Sequence, residues 1–268
     1  MPLTAAPLSG QAPLIQVTIP TGTVPKGMTY TVTGTTPTGW TWDVRGGHRV
    51  SEGTQVVLGD PLAPINQPVT YRLTTPTGLV TESNTVTRPW TGHTLLTDIT
   101  STTHIDLLWQ GNDPHTLDMR VTTHDIPGRH TPVPVFAPTM GAGTTTLTAR
   151  TTGTHTHAMT ALAARPAVVA LYHNPLRCFQ CRVGACDVEP VTVMVLTDVS
   201  HSRSARVDVA ERSWSLKGAL VAVPEPEVVL ATSTWDDFDR VRLTWGTLAA
   251  RRVTWDVFDR TVWQEVGR

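Results

Sequence analysis

Four side chains that bind soft metals fall within fourteen residues: His173, Cys178, Cys181 and Cys186. Zinc is the ion such a donor set would hold, since thiolate and imidazole are its preferred ligands and many structural sites start from a Cys-x2-Cys pair. Cys178 and Cys181 supply that pair, but His173 and Cys186 flank it instead of forming a separate knuckle. The spacing therefore favours a local disulfide across a hairpin-like loop, or three reduced thiols, over a bound metal. No metal and no other cofactor is expected. His155 and His157 place two imidazoles on one face of a strand or at a helix start, with no third ligand nearby, and are expected to be exposed polar residues. Met140-Gly141-Ala142-Gly143-Thr144 lacks the remaining glycine of a dinucleotide fingerprint and the lysine of a phosphate loop, so a β-turn is expected there. The sequence holds no Gly-x-Ser-x-Gly elbow, His-Glu-x-x-His helix or kinase motif. Whether any of the 22 acidic residues pair at a glycosidase separation is a property of three dimensions. A non-enzymatic protein is expected.

The elements that must carry these residues are strands. Charged residues are only 16% of the 268, below the usual quarter, and threonine, at roughly one residue in six, fills the gap. Thr and Val favour strands, and 20 Gly with 21 Pro supply turns, so the chain reads as mainly β with many short strands. Nine Trp and a net charge of -1 argue against disorder, and 21 basic against 22 acidic residues argue against sequence-specific nucleic-acid binding. The first ten residues lack the basic start and apolar stretch of a secretory signal, and runs such as 167–172 are too short to span a bilayer. A chain made and soluble in the cytoplasm, with no membrane partner, is expected.

Alternating patterns predict strands at 14–18, 29–33, 41–45, 54–58, 68–74 and 79–87. In the fifth of these, Val69, Tyr71 and Leu73 share one face, as a half-buried antiparallel strand requires. Six strands with Gly and Pro punctuation predict an immunoglobulin-like or fibronectin-like sandwich over 1–90. A second unit, 91–226, is expected to be a β-barrel, belt-like domain. Its strands are predicted at 95–99, 105–109, 117–121, 132–136, 145–150, 168–172, 191–196, 205–209 and 212–221, with an inserted helix at 157–165 that stops at Pro166. Pro224-Glu225-Pro226-Glu227 reads as an extended linker. Beyond it, over 227–268, Thr-Trp-x-x-(Phe or Leu) recurs at a period of ten from Thr234, Thr244 and Thr254. Thr caps a short helix and Trp shares a face with the apolar residue three further on. Asp236, Asp237 and Asp239 then serve capping and the helix dipole, with no calcium. Ten-residue units cannot bury a Trp alone, so Trp235, Phe238, Trp245, Leu248, Trp255, Phe258 and Trp263 are candidate interface residues, with packing inside their own chain as the alternative.

Several phrases carry a resemblance. Gly46-Gly47-His48-Arg49-Val50, Val57-Leu58-Gly59-Asp60-Pro61-Leu62-Ala63-Pro64, Val69-Thr70-Tyr71-Arg72-Leu73 and Glu82-Ser83-Asn84-Thr85-Val86-Thr87 are similar to segments of minor tail proteins of long-tailed phages infecting actinobacteria. Thr197-Asp198-Val199-Ser200, Ala205-Arg206-Val207-Asp208, Arg212-Ser213-Trp214-Ser215-Leu216 and the Thr-Trp repeats resemble that family's second domain and C-terminal end. The resemblance implies a distal-tail-like virion protein of the tail tip, assembled in the host cytoplasm. It would form a ring that joins the tail tube to the hub and receptor-binding parts, and it would contact other minor tail proteins. The family has no catalytic residues to carry over. Closed cyclic symmetry about a tail axis favours six or three copies of the chain. Such a particle meets a reducing cytosol first and an oxidising exterior later, which leaves room for one late bridge among three cysteines. A second reading is a receptor-binding or carbohydrate-binding adhesin that stacks sugars on exposed Trp40, Trp42 or Trp90. A third is a cell-wall hydrolase, which needs two facing carboxylates or a metal-bound water, with His173, Cys178 and Cys186 as its best metal candidate.

Overall fold

Strand propensity and period-2 burial organise the chain in its computed structural model, which is 52% strand and 7% helix. The structure describes residues 3–8, 14–99, 103–109, 114–137, 141–164, 167–184, 186–203, 208 and 210–223. The chain divides into Met1–Ala222 and Val223–Arg268. The Thr-Trp repeats and the candidate interface residues Trp235, Phe238, Trp245, Leu248, Trp255, Phe258 and Trp263 lie outside the described residues. No helix among the described residues is long and apolar enough to cross a membrane.

Nine strands come first: β1 (Thr4–Leu8), β2 (Leu14–Ile19), β3 (Thr29–Thr35), β4 (Thr41–Asp43), β5 (Arg49–Val50), β6 (Val56–Asp60), β7 (Pro68–Thr74), β8 (Val80–Glu82) and β9 (Val86–Thr87). They form two antiparallel sheets, β1-β2-β6 and β4-β3-β7-β8, with β5 added on β3 and β9 on β7. Alternation puts Ile15, Val17 and Ile19 of the first sheet, and Tyr30, Val32, Val69, Tyr71 and Leu73 of the second, in the interior. Gly34 gives β3 a bare surface on which the Trp42 ring lies; a Cβ there would sit 2.2 Å from that ring.

Asp60, fully buried at the end of β6, joins the two sheets. It accepts hydrogen bonds from Trp42 Nε1 (3.0 Å), Tyr71 Oη (2.7 Å) and the Leu62 amide (3.0 Å). Burial pushes its carboxyl above the usual carboxylate range, while these donors, and Arg88 least, pull it down. Burial and the neighbouring Asp60 raise the Tyr71 phenol, so it stays a donor. Tyr71→Phe removes the shortest of the three bonds and is expected to cost about 2 kcal/mol, read as a lower urea midpoint at unchanged slope.

The second half forms a closed six-stranded antiparallel barrel. Its strands are β10 (Thr94–Asp98), β11 (His104–Trp109), β15 (Gly141–Thr152), β16 (Val168–Tyr172), β17 (Val191–Arg203) and β18 (Glu211–Leu220). Between β11 and β15 lie β12 (His115–Asp118), β13 (Val121–His124) and β14 (Val133–Phe136). The barrel order β11-β10-β16-β17-β18-β15 closes where Leu108 and Trp109 pair with Arg150 and Ala149. Leu96, Ile105, Leu107, Leu147, Ala149, Val169, Leu171, Met194, Trp214 and Leu216 fill its core. The helix α1 (Thr154–Ala163) adds Met159 and Leu162 to that core. It starts three residues before the predicted 157 and ends two before the predicted 165, because its first turn is anchored by side chains that pattern alone does not reveal. Trp214 Nε1 donates to Thr151 Oγ1 (2.8 Å), Thr151 and Thr156 share a bond of 3.0 Å, and Thr156 donates to the Ala210 carbonyl (3.0 Å).

Three other expectations are corrected. The described part of the glycine-rich segment, 141–144, is not a turn: Gly141 opens β15, and Gly143 (φ +86°) lies against the Thr116 carbonyl where β12 and β15 shift register. The single strand expected at 117–121 is broken between β12 and β13, with Arg120 at φ +41° in the break. The strand expected at 79–87 is split into β8 and β9 at Ser83 and Asn84, whose side chains bond backbone instead: Asn84 takes both polar groups of Ala5 in β1. The strand expected at 205–209 falls mostly outside the described residues.

Candidate functional site

His173 follows β16 directly, and its amide donates to the Pro190 carbonyl (3.0 Å), which closes the base of the loop leading to β17. Within the loop the amides of Arg177 and Cys178 both reach the Asn174 carbonyl, a short helix α2 (Phe179–Arg182) carries Cys181, and Gly184 at φ +72° turns the chain back toward Cys186. The result brings four ligand atoms together. His173 Nε2 lies 3.2 Å from Cys181 Sγ and 3.5 Å from Cys186 Sγ, Cys178 Sγ lies 3.9 Å from Cys186 Sγ, and all four lie within 4.8 Å of one another. All three cysteines are free, so the local disulfide, one of the alternatives read from the spacing, is not formed. The flanking positions of His173 and Cys186 are no obstacle, because closing the loop at its base makes flanking residues neighbours.

Electrostatics in the cluster follow from burial and crowding. Burial lowers the His173 imidazole below its ordinary value, which favours the neutral ring. Burial pushes the Cys178 thiol up, but hydrogen bonds from the Cys181 and Gln180 amides and from the Cys181 and Cys186 thiols outweigh it and hold the thiol low. Cys181 is pushed up to about 12 by burial and by the two neighbouring sulfurs. Three thiols at this spacing resist losing their protons together unless a cation replaces them.

The loop also meets the N-terminal sheets. Asn174 is buried; its Oδ1 accepts from Asn66 Nδ2 (3.0 Å) and from the Leu176 amide (3.1 Å), and its Nδ2 donates to the Gly92 carbonyl (2.8 Å). Arg177 donates to the Thr91 carbonyl (3.4 Å). One residue earlier than His173, Tyr172 donates to the Pro61 carbonyl, and its ring lies 4.6 Å from the Arg88 guanidinium. No local pattern marks Asn66, Arg88 or Asn174, and their role became visible only in the fold.

A second feature was missed. Residues 114–137 leave the barrel along β12 and run out as the two-stranded β13–β14 hairpin. The arm is exposed along nearly all its length, yet it carries Leu117 (59% exposed), Met119, Val121, Ile126, Val135 and Phe136 (67%). Val121 and Phe136 face each other across the hairpin. Pro132 and Pro134 were the available sequence signal, since proline in a strand marks an edge.

The remaining candidates are dispersed. His155 and His157 lie two apart on α1 and so on different faces; His155 Nδ1 accepts from the Asp106 amide (3.3 Å) and His157 is exposed. Trp42 is buried against Tyr71 and bonded to Asp60, so it is no sugar platform, and Trp40 is stacked on it at 4.9 Å. Trp90 is half-buried. Asp236, Asp237 and Asp239 lie outside the described residues. No family model matches the chain, and no curated protein matches it.

Proposed function

We propose that this chain is a non-enzymatic structural protein of a phage tail tip, which assembles as a ring and joins the tail tube to the hub and receptor-binding parts. In this reading the barrel is the ring-forming belt, and the N-terminal sheets are an immunoglobulin-like module on it. The observation that carries the reading is the arm at 114–137. A hairpin with both edges free among the described residues, and with apolar side chains on it, is suited to docking on a neighbouring copy. Its two acidic residues, Asp118 and Asp125, balance two basic ones, Arg120 and Arg129, so copies placed side by side meet no net like charge. Cyclic symmetry about a tail axis favours a closed ring of six or three copies. The Thr-Trp repeats beyond Pro226 would add a second contact, and the virion would be the place of action after assembly in the host cytoplasm.

The test is mass in solution. Native mass spectrometry or light scattering of the full chain is expected to give a trimer or hexamer, and Val121→Lys with Phe136→Glu, an opposite-charge pair across the hairpin, is expected to give a monomer at the same concentration. Because both side chains are exposed and the introduced charges are opposite, the variant's unfolding free energy should stay within about 0.5 kcal/mol of the parent. A parent chain that stays monomeric at high concentration overturns the ring-forming reading.

A further inference from the structure

We propose that His173, Cys178, Cys181 and Cys186 bind one zinc ion in a closed, tetrahedral structural site that holds the β16–β17 loop in shape against Thr91 and Gly92. The inference is independent of the tail-tip reading. Zinc bonds of about 2.3 Å to sulfur and about 2.0–2.1 Å to nitrogen, set at tetrahedral angles, place ligand atoms about 3.8 Å apart for two sulfurs and about 3.5 Å for sulfur and nitrogen. Three of the six separations, 3.9 Å for one sulfur pair and 3.2 and 3.5 Å for sulfur to nitrogen, already lie near those edges, and all four atoms lie within 4.8 Å of one another, so small side-chain adjustments close the tetrahedron. The Cys-x2-Cys pair has the backbone support such sites use, with the Gln180 and Cys181 amides directed at Cys178 Sγ. Three thiolates and one imidazole complete the tetrahedron, so no position stays open for water or substrate. Binding releases the protons of the coordinating thiols to solvent and forms three Zn–S bonds and one Zn–N bond.

A second observation points the same way. Among the described residues 174–189 only Asn174 is buried, while Leu176, Phe179 and Val183 are 66%, 69% and 58% exposed. The loop has no apolar core to hold its one four-residue helix, and a helix that short does not persist on propensity. A metal supplies the missing cross-link. Its anchor reaches outside the loop, because Asn174 and Arg177, within four residues of His173, bond the Gly92 and Thr91 carbonyls.

The experiment uses the full chain purified under reducing conditions without chelator. Metal analysis is expected to return one zinc per chain. Exchange with Co2+ is expected to give the intense visible absorption and sulfur-to-cobalt charge transfer of a tetrahedral thiolate site, reversed by added Zn2+. Trypsin is expected to cleave after Arg177 or Arg182 several-fold faster once a chelator has removed the metal. Cys186→Ser should lower the apparent zinc affinity by ~100-fold, given that even outer-shell changes cost 10–100-fold. If that variant does not fold, the cobalt titration of the parent chain still decides. A chain with three reduced thiols that takes up neither Zn2+ nor Co2+ overturns the proposal, and so does a chain whose bound metal is iron with the colour of an iron–sulfur cluster.

Discussion

Arg88→Met is expected to lower the stability of the chain by about 2–4 kcal/mol, because two buried carbonyls lose their donor at about 1–3 kcal/mol each. Arg88 is fully buried. Its Nη1 donates to the carbonyls of Pro61 and Ala63, both at 2.7 Å, and the guanidinium lies over the Tyr172 ring. Its backbone pairs with Ile65, and its carbonyl accepts from Asn66. One side chain thus links the end of β9, the segment after β6 and the Tyr172 ring at the end of the barrel strand β16. Methionine keeps the length of the stem but leaves two carbonyls without donors and Asp60 without its nearby cation. The measurement is urea unfolding followed by Trp fluorescence. A pH series adds a signed test. The Asp60 carboxyl is already raised by burial, and loss of the Arg88 charge raises it further. A carboxyl whose folded value lies above its unfolded value adds stability below the unfolded value, and that stability is lost as pH rises through the folded one. The deficit of the variant should therefore be larger at pH 8 than at pH 5. Equal deficits at both pH values would separate Arg88 from Asp60.

Trp214→Ala is expected to cost about 3–5 kcal/mol, as for other buried aromatic truncations. Among the described residues Trp214 is the largest fully buried side chain, and it lies in the barrel core with Met159 and Leu162 of α1. Its indole N–H starts a directed chain of hydrogen bonds. Thr156 gives its only hydroxyl proton to Ala210, so Thr151 must donate to Thr156 and accept from Trp214. Truncation therefore opens a cavity beneath Met159 and Leu162 of α1 and leaves the Thr151 hydroxyl without its indole donor, while the Thr151–Thr156–Ala210 bonds at the start of α1 remain. Trp214→Phe keeps most of the packing and should cost only about 1–2 kcal/mol. The contrast separates volume from hydrogen bonding, and it is read by urea midpoints with far-UV circular dichroism at the helix band.

The strands that sequence located well were those with an unbroken period of two. β2, β3, β7 and β16 start where alternation or an apolar run predicts, because side-chain direction along a strand depends only on neighbours in the chain. Reading failed where another part of the molecule overrode local preference. β1 contains Ala5, Ala6 and Pro7, poor strand formers, and forms because β2 pairs with it and Asn84 holds Ala5. Gly141 to Gly143 reads as a turn by composition, yet β12 pairs with Gly141 and, past a bulge, with Thr144, where the β18 pairing also begins, so the segment is drawn into β15.

The chemistry divides in the same way. The four soft ligands, the absence of catalytic motifs and the mainly β class are properties of residue type and local spacing, and the sequence determines them by itself. Whether those ligands converge depends on closure of the loop between His173 and Pro190, and the order 173, 178, 181, 186 made a flanking pair look like a separated one. Whether apolar residues at 117–136 are core or surface depends on what else reaches them, and no alternation in the strand itself encodes that. Tertiary structure decided both, because side-chain convergence and burial are set by contacts between residues distant in the chain, which no local period records.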